Sequence, residues 1–205
     1  MKPHKTILLL LLITWASGDP LRAEDGIVVT KNRADEPLAK AFSAQKSIGF
    51  IERSVSRWQT NKKCITCHTN GLHLVAGSLA TPQSDILLKN REFSRNYLSN
   101  YVQRKKKPKG THGAIEGIVS GTSFLVISEM NTAKILHPDT EAALDFIWTR
   151  QSDSGAWDSW LKCHWAPFEV DDHFGASLAA IALAMTPDAY RKKPASIRAW
   201  KKLET

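Results

Sequence analysis

Apolar side chains recur at helical spacing along most of the chain, and short polar segments interrupt the pattern. The first segment opens with Asp35-Glu36-Pro37, an acidic turn with proline that is typical of a helix start, and it runs to Trp58. Further helices are predicted over residues 72–80, 84–104, 114–130, 137–150, 171–185 and 195–203. Two valines and an isoleucine leave a strand open within 114–130. As a whole, the pattern predicts an all-α protein.

One apolar run near the N-terminus has a different character. Residues 7–15 are almost continuously apolar, follow Lys2 and Lys5, and are too short to span a membrane comfortably. Small residues come next, and we expect cleavage after Ala23, with an uncleaved N-terminal anchor as the alternative. The prediction is a signal peptide at 1–23, a flexible N-terminus at 24–34 and a helical domain at 35–205. We expect this domain to be exported, periplasmic or extracellular, with no membrane span after signal cleavage.

The chain carries an excess of positive charge, with 28 Lys and Arg against 20 Asp and Glu and a formal net charge of +8. Two basic runs, 104–109 and 191–202, hold much of this excess. Such runs are most often solvated loops or helix ends, and export argues against a nucleic-acid partner. A basic surface suits an acidic protein partner or an anionic lipid surface instead.

The most informative motif is Cys64-Ile65-Thr66-Cys67-His68, which has the C-x-x-C-H pattern of covalent c-type haem attachment. Each thiol can add to a haem vinyl group, and the adjacent imidazole can coordinate the iron. Haem c is assembled outside the cytoplasm, so the predicted export supports this interpretation. The leading prediction is therefore a haem-bearing redox or electron-transfer module that works with a redox protein partner.

A weak internal repeat relates two regions of the chain. The first copy contains Phe50-Ile51, Trp58, Cys67-His68, His73, Ala76 and Leu79-Ala80. The second copy contains Phe146-Ile147, Trp157, Cys163-His164, His173, Ala176 and Ala179-Ala180. With a degenerate unit between them, the chain is predicted to form about three helical hairpins. Each has one outer helix and one small-residue inner helix, and the hairpins stack because one alone cannot bury both faces.

The repeat also bears on which residues would coordinate the haem iron and on the alternatives to haem at this motif. A sixth iron ligand is sought among His73, His112, His173 and Met130, and the repeat favours His173 because it lies on an adjacent inner helix. Zinc is the alternative cofactor, held by Cys64, Cys67 and Cys163 with His164, or with His68 or His173 in its place. A disulfide to Cys163, or one within the C-x-x-C pair, is the third option.

A further motif carries a family resemblance. Residues 151–157 fit Q-x-x-x-G-x-W, and Glu169-Val170-Asp171-Asp172-His173 follows at a predicted helix start. The first resembles the QW motif of the squalene cyclase and prenyltransferase superfamily, and the second its D-x-D-D acid motif. With the C-x-x-C-H motif, the layout is similar to exported squalene-cyclase-like repeat proteins of planctomycete-type bacteria.

This resemblance implies a partial α/α toroid in which Gln151 and Trp157 tie one repeat to the next. The indole N–H of Trp157 needs an acceptor, and Gly155 permits a tight turn, so both have packing roles. The chain has fewer hairpins than a closed toroid, which leaves truncation, an open arc or a homo-oligomer. The resemblance also implies a degenerate cyclase with Glu169, Asp171 and Asp172 as candidate acids; helix N-terminal capping is the other interpretation of these carboxylates.

Overall fold

Every regular element in the described part of the chain is an α-helix, which confirms the all-α prediction. The structure, a computed structural model, describes residues 35, 41–66, 68–103, 114–157 and 172–204, with only the backbone of Ala114 and Asp172. The chain divides into two units, Met1–Phe42 and Ser43–Thr205, and all the described helices lie in the second. They are α1 (Ala44–Lys62), α2 (Asn70–Ala80), α3 (Asp85–Val102), α4 (Ala114–Thr132), α5 (Pro138–Trp148), α6 (Asp172–Met185), α7 (Asp188–Arg191) and α8 (Pro194–Leu203).

The predicted start of the first helix is wrong. The backbone of residues 41–43 is not helical, and α1 begins at Ala44 rather than near Pro37. Ser43 is the N-cap: its backbone is extended, and its side chain accepts a hydrogen bond from the Lys46 N–H at 3.3 Å. The acidic turn with proline at residues 35–37 is the more conspicuous start signal in the sequence, but Ser43 is the residue that caps α1.

The other helix boundaries agree with the sequence to within a few residues. The hydroxyl of Ser84 caps α3 by accepting from the Ile86 N–H at 3.2 Å. His137 caps α5, and Pro138 occupies its first turn, where no backbone donor is needed. The short helix α7 was not predicted, because four residues are too few to show a period.

Helix α4 lies at the centre of the fold. It occupies the segment in which the sequence also allowed a strand. Its side chains are buried without interruption from residue 118 to residue 130. It packs against α2 on one side and α6 on another, and it also contacts α3 and α5. A small-residue helix can approach several neighbours closely, and this burial outweighs the β propensity of its valines.

The remaining helices pack around this centre in order along the chain. Helix α3 contacts both α1 and α5, and α8 contacts α5 and α6. Helices α2 and α4 run parallel, since Gly71 at the start of α2 lies against Phe124 in the middle of α4, and Ser78 near the end of α2 accepts from Asn131 near the end of α4. No helix in the described part of the chain combines the length and apolar character needed to cross a bilayer.

Buried charges fix how α3, α4 and α5 meet. Arg91 on α3 donates to the hydroxyl and the carbonyl of Ser128 on α4, both at 2.9 Å. The buried carboxylate of Glu129 accepts from Arg95 at 3.0 Å and from the Thr140 hydroxyl on α5 at 2.9 Å. Burial lowers the pKa of Arg91, and the nearby Glu129 opposes this shift. Polar groups that are buried but paired in this way specify one register between the helices.

The turn at residues 151–157, which follows α5, packs against α8. The Trp157 indole donates to the Ile147 carbonyl at 2.9 Å, which gives the indole the acceptor that the sequence led us to expect. Gly155 has a φ of 82°, and a Cβ there would lie 2.0 Å from the Lys202 carbonyl oxygen. Gln151 donates to the Gly155 carbonyl at 3.0 Å and reaches the Ala199 carbonyl of α8 at 3.4 Å.

Candidate functional site

The C-x-x-C-H motif occupies the short connection between α1 and α2. Helix α1 ends at Lys62, and Lys63 turns the chain with a left-handed φ of 54° while its N–H donates to the Gln59 carbonyl. Cys64 follows at once, and α2 begins at Asn70. The motif is therefore held at both ends by rigid helices, and only a few residues separate them.

The side chain of Asn70 forms two hydrogen bonds with the backbone of this loop. Its amide nitrogen donates to the Cys64 carbonyl at 3.0 Å, and its oxygen accepts from the Thr66 N–H at 2.9 Å. Asn70 is fully buried, so these bonds form away from competing water. Because Cys64 presents only an acceptor and Thr66 only a donor, the orientation of the carboxamide is unambiguous.

Two glycines, one on α2 and one on α4, let these helices lie close to the loop. The side chain of Ile65 is buried against α4, where a Cβ at Gly121 would lie 3.2 Å from its outer carbons. The N–H of Gly71 donates to the Thr66 carbonyl at 2.9 Å. A Cβ at Gly71 would lie 2.5 Å from that oxygen and 2.7 Å from the ring of Phe124. Any larger residue at position 71 would therefore push the loop away from the core.

A second layer of buried polar groups supports Asn70 from α3. The amide nitrogen of Asn90 donates to the Asn70 carbonyl at 2.8 Å and lies 3.2 Å from Nδ1 of His73. The oxygen of Asn90 accepts from the Gln59 side chain of α1 at 2.6 Å. A continuous chain of hydrogen bonds thus joins α1, α3 and α2 to the backbone of the motif.

His73 is part of this interior network. Its side chain is 2% exposed, and its Nε2 atom has no hydrogen-bond partner within the described residues. A Cβ at Gly77 would lie 2.9 Å from Nε2, so glycine is what leaves room for the ring. Burial lowers the pKa of His73, and the charge of Glu52 acts in the opposite direction. An enclosed imidazole of this kind does not present itself as a sixth ligand to a cofactor at the surface.

The structure describes two reactive residues of the motif, Cys64 and His68, and neither is buried as Ile65 is. Cys64 is a half-buried free thiol, and His68 is exposed with its ring edge-on to Trp58, 5.6 Å between centroids. The indole N–H of Trp58 is buried and finds no acceptor among the residues that the structure describes. Burial and the hydrogen bond between Tyr97 and Tyr101 raise the pKa of Tyr97, and the electrostatic interaction with Cys64 adds to this effect.

The other candidate residues are only partly described. His173 is exposed in the first turn of α6, whereas its repeat counterpart His73 is buried, so the two do not share an environment. Met130 lies in the hydrophobic core of α4, where it is not accessible as an iron ligand. Asp172 is the first residue of α6. Six candidates lie outside the described residues: Cys67, His112, Cys163, His164, Glu169 and Asp171.

Within the described ranges, no three His, Cys, Asp or Glu side chains come together as a metal site. The zinc alternative thus depends on residues outside those ranges. The residues that shape the loop, Asn70, Gly71, Asn90 and Gln59, were missed by the sequence analysis. The only sequence signal for them was the Asn-Gly pair at the start of a helix two residues after the motif, where a buried asparagine is unexpected.

Comparison of the chain with protein-family models, with curated proteins and with solved structures gives no match.

Proposed function

We propose that this chain is the helical part of an exported redox protein that binds haem covalently. Cys64 and Cys67 would form the thioether bonds, and His68 would be the axial ligand of the iron. Bound haem would supply one-electron redox chemistry, in exchange with a redox protein partner. The observation that carries this proposal is the free thiol of Cys64 in a loop whose backbone is already fixed by Asn70.

The described residues have the donor chemistry that this function needs. Asn70 holds backbone atoms of the loop, which leaves the Cys64 side chain available for a covalent bond. The His68 imidazole is exposed on the same short loop. Beside it lies the ring of Trp58, whose buried indole N–H has no acceptor within the described residues.

A second axial ligand is proposed at His173. Of the alternatives on the described helices, His73 is enclosed by the network around Asn90, and Met130 belongs to the apolar core. His173 is instead an exposed residue in the first turn of α6. Six-coordinate iron of this kind suits electron transfer rather than binding of a small ligand.

We also propose that the hairpins form part of an α/α toroid of the squalene-cyclase and prenyltransferase type. The support is the order of packing, in which α4 lies between α2 and α6 and α3 lies between α1 and α5. The turn around Gly155 and Trp157, which ties α5 to α8, has the linking role that such repeats require.

The test is to produce the full chain, with its N-terminal segment, in a bacterium that assembles c-type cytochromes. We expect a Soret band and a c-type α band that survive acid–acetone extraction, with one haem for each chain. The double variant Cys64→Ala/Cys67→Ala should lose the bands, while the matched control Cys163→Ala should keep them.

Other results would point to the alternatives. Equimolar zinc without a Soret band, lost in Cys163→Ala, would replace the haem with a zinc-stabilised binding scaffold. Conversion of squalene to a cyclic product, abolished by Asp172→Asn, would assign the chain to a degenerate cyclase. A disulfide to Cys163, identified by peptide mapping of the unreduced protein, would assign the cysteines a structural role.

A further inference from the structure

We propose that Asn90 is a positioning residue for the C-x-x-C-H loop and that it holds the loop only while His73 is neutral. The consequence for haem attachment rests on the function proposed above. The control of the loop by His73 does not, because every contact involved lies within the protein.

The hydrogen-bond geometry fixes the orientation of Asn90. The backbone carbonyl of Asn70 can only accept, so the Asn90 atom 2.8 Å from it must be the amide nitrogen. If the carboxamide were reversed, two oxygens would face each other at that distance. The correct orientation also presents the oxygen of Asn90 to the amide of Gln59 at 2.6 Å.

This orientation in turn fixes the protonation state of His73. The same amide nitrogen of Asn90 lies 3.2 Å from Nδ1 of His73, and a second donor there would oppose the first. Nδ1 must therefore be the acceptor, and the single proton of the neutral ring lies on Nε2. A proton added to Nδ1 would set N–H against N–H in a buried site.

Few charged groups act on this ring from the helices around it. Helix α1 contributes Glu52, which favours the protonated ring but less strongly than burial disfavours it. On α3 two cations flank Asn90: Lys89 is exposed, and Arg91 is directed to Ser128. The residue of α4 that lies against the start of α2, Phe124, is uncharged, as is Gly121, which lies against Ile65 of the loop. Nothing described therefore compensates fully for a charge on His73.

Protonation of His73 is transmitted to the motif in two steps. Protonation removes the Nδ1 acceptor that orients the Asn90 amide. Asn90 then no longer donates its hydrogen bond to the Asn70 carbonyl. Asn70 is the residue whose side chain binds Cys64 and Thr66. At acidic pH the loop that carries the cysteines is therefore released, although His73 itself lies outside the motif.

Hydrogen exchange of the full chain, read by mass spectrometry with residue-level fragmentation, tests this mechanism. Exchange of the Thr66 and Gly71 amides is compared between about pH 7.5 and about pH 5, after correction for intrinsic rates. We expect their protection to fall by up to roughly tenfold for each pH unit below the ordinary pKa of histidine, as uptake of one proton requires. Amides of α5 report global unfolding, which also takes up a proton at His73, and they should stay better protected than Thr66 and Gly71 at both pH values.

The decisive variant is Asn90→Asp, which has the same shape but only acceptors. Its carboxylate opposes the Asn70 carbonyl when His73 is neutral and pairs with His73 when it is protonated. The pH dependence should therefore reverse, with weaker protection near pH 7.5 and stronger protection near pH 5. Asn96→Asp, an exposed site on the same helix, is the matched control and should behave like the parent chain.

A second variant keeps the test decisive if Asn90→Asp does not fold. His73→Asn replaces Nδ1 by an oxygen that accepts at any pH, so protection of Thr66 should no longer depend on pH. The proposal is overturned if the parent chain shows equal protection at both pH values. It is equally overturned if Asn90→Asp or His73→Asn keeps the pH dependence of the parent.

Discussion

The N–H of Gly71 donates to the carbonyl of Thr66 at 2.9 Å, and a Cβ on Gly71 would lie only 2.5 Å from the same oxygen. Because Phe124 closes the other side at 2.7 Å, a methyl group cannot be accommodated without moving backbone. We expect Gly71→Ala to lower the free energy of unfolding by about 2–3 kcal/mol, the cost of overpacking, in urea titrations followed by circular dichroism.

The matched control is Gly117→Ala on α4, where a Cβ would have no atom of the described residues within 4 Å. Alanine favours helix over glycine by up to about 1 kcal/mol, so this variant should be neutral or slightly more stable than the parent. Equal stability of the two alanine variants would contradict the close approach at Gly71.

Removal of the Asn70 side chain should also be costly. Asn70→Ala leaves the Thr66 N–H and the Cys64 carbonyl without their partners in a partly buried place. An unsatisfied buried group costs about 1–3 kcal/mol, and we expect a total loss of about 2–4 kcal/mol by urea titration. Asn96→Ala, at an exposed position of α3, should change stability by less than about 0.5 kcal/mol.

Stability should also depend on pH through His73. Its pKa in the folded protein is lowered from the ordinary value of 6.5, so the unfolded chain binds a proton more readily than the native one. The contribution of the neutral ring is therefore complete above pH 6.5 and declines as the pH falls towards the lowered value, by at most about 1.4 kcal/mol per unit.

Urea titrations at several pH values, compared between the parent chain and His73→Asn, isolate this effect from the titration of carboxylates. The difference between the two proteins should be constant above pH 6.5 and should change only below it. A parent chain that loses stability no faster than His73→Asn in acid would count against this assignment.

The two tryptophans Trp157 and Trp200 offer a matched pair for the turn between α5 and α8. Trp157 is buried and donates to the Ile147 carbonyl, while Trp200 is 39% exposed and donates to Glu204 at the surface. Trp157→Phe should cost about 1–3 kcal/mol in thermal or urea unfolding, because a buried carbonyl loses its donor. Trp200→Phe should cost less than about 0.5 kcal/mol, and similar losses in both would contradict the role of the turn.

Most of the helices could be predicted because their signals are local. The cap at Ser84 and the proline after His137 lie within a few residues of the backbone groups that they serve. The start of α1 was misjudged because two start signals compete within nine residues, and only the structure shows that Ser43 is used. The central position of α4 could be inferred from its small residues, but its choice of helix over strand depended on burial by several neighbours.

The reactive side chains of the motif could be identified from the sequence, but the residues that support the loop could not. The thiols and the imidazole of the motif are recognisable from their spacing alone. Asn90 lies 20 residues from Asn70, and no periodic pattern connects them. The burial of His73 was equally hidden, since the repeat pairs it with His173, which is exposed. Contacts between helices, rather than sequence within them, decide both cases.

The Asn70 side chain forms its hydrogen bonds with backbone atoms of the loop. The residues that determine the loop conformation are therefore different from the residues that carry its reactive groups. The conformation is encoded at positions 70, 71 and 90, none of which belongs to the motif. The side chain at position 64 can therefore change during evolution without loss of the scaffold. A descendant with other side chains in place of the thiols would keep the same loop conformation. An Asn-Gly pair just after the loop would then be better preserved than the cysteines as a sign of common ancestry.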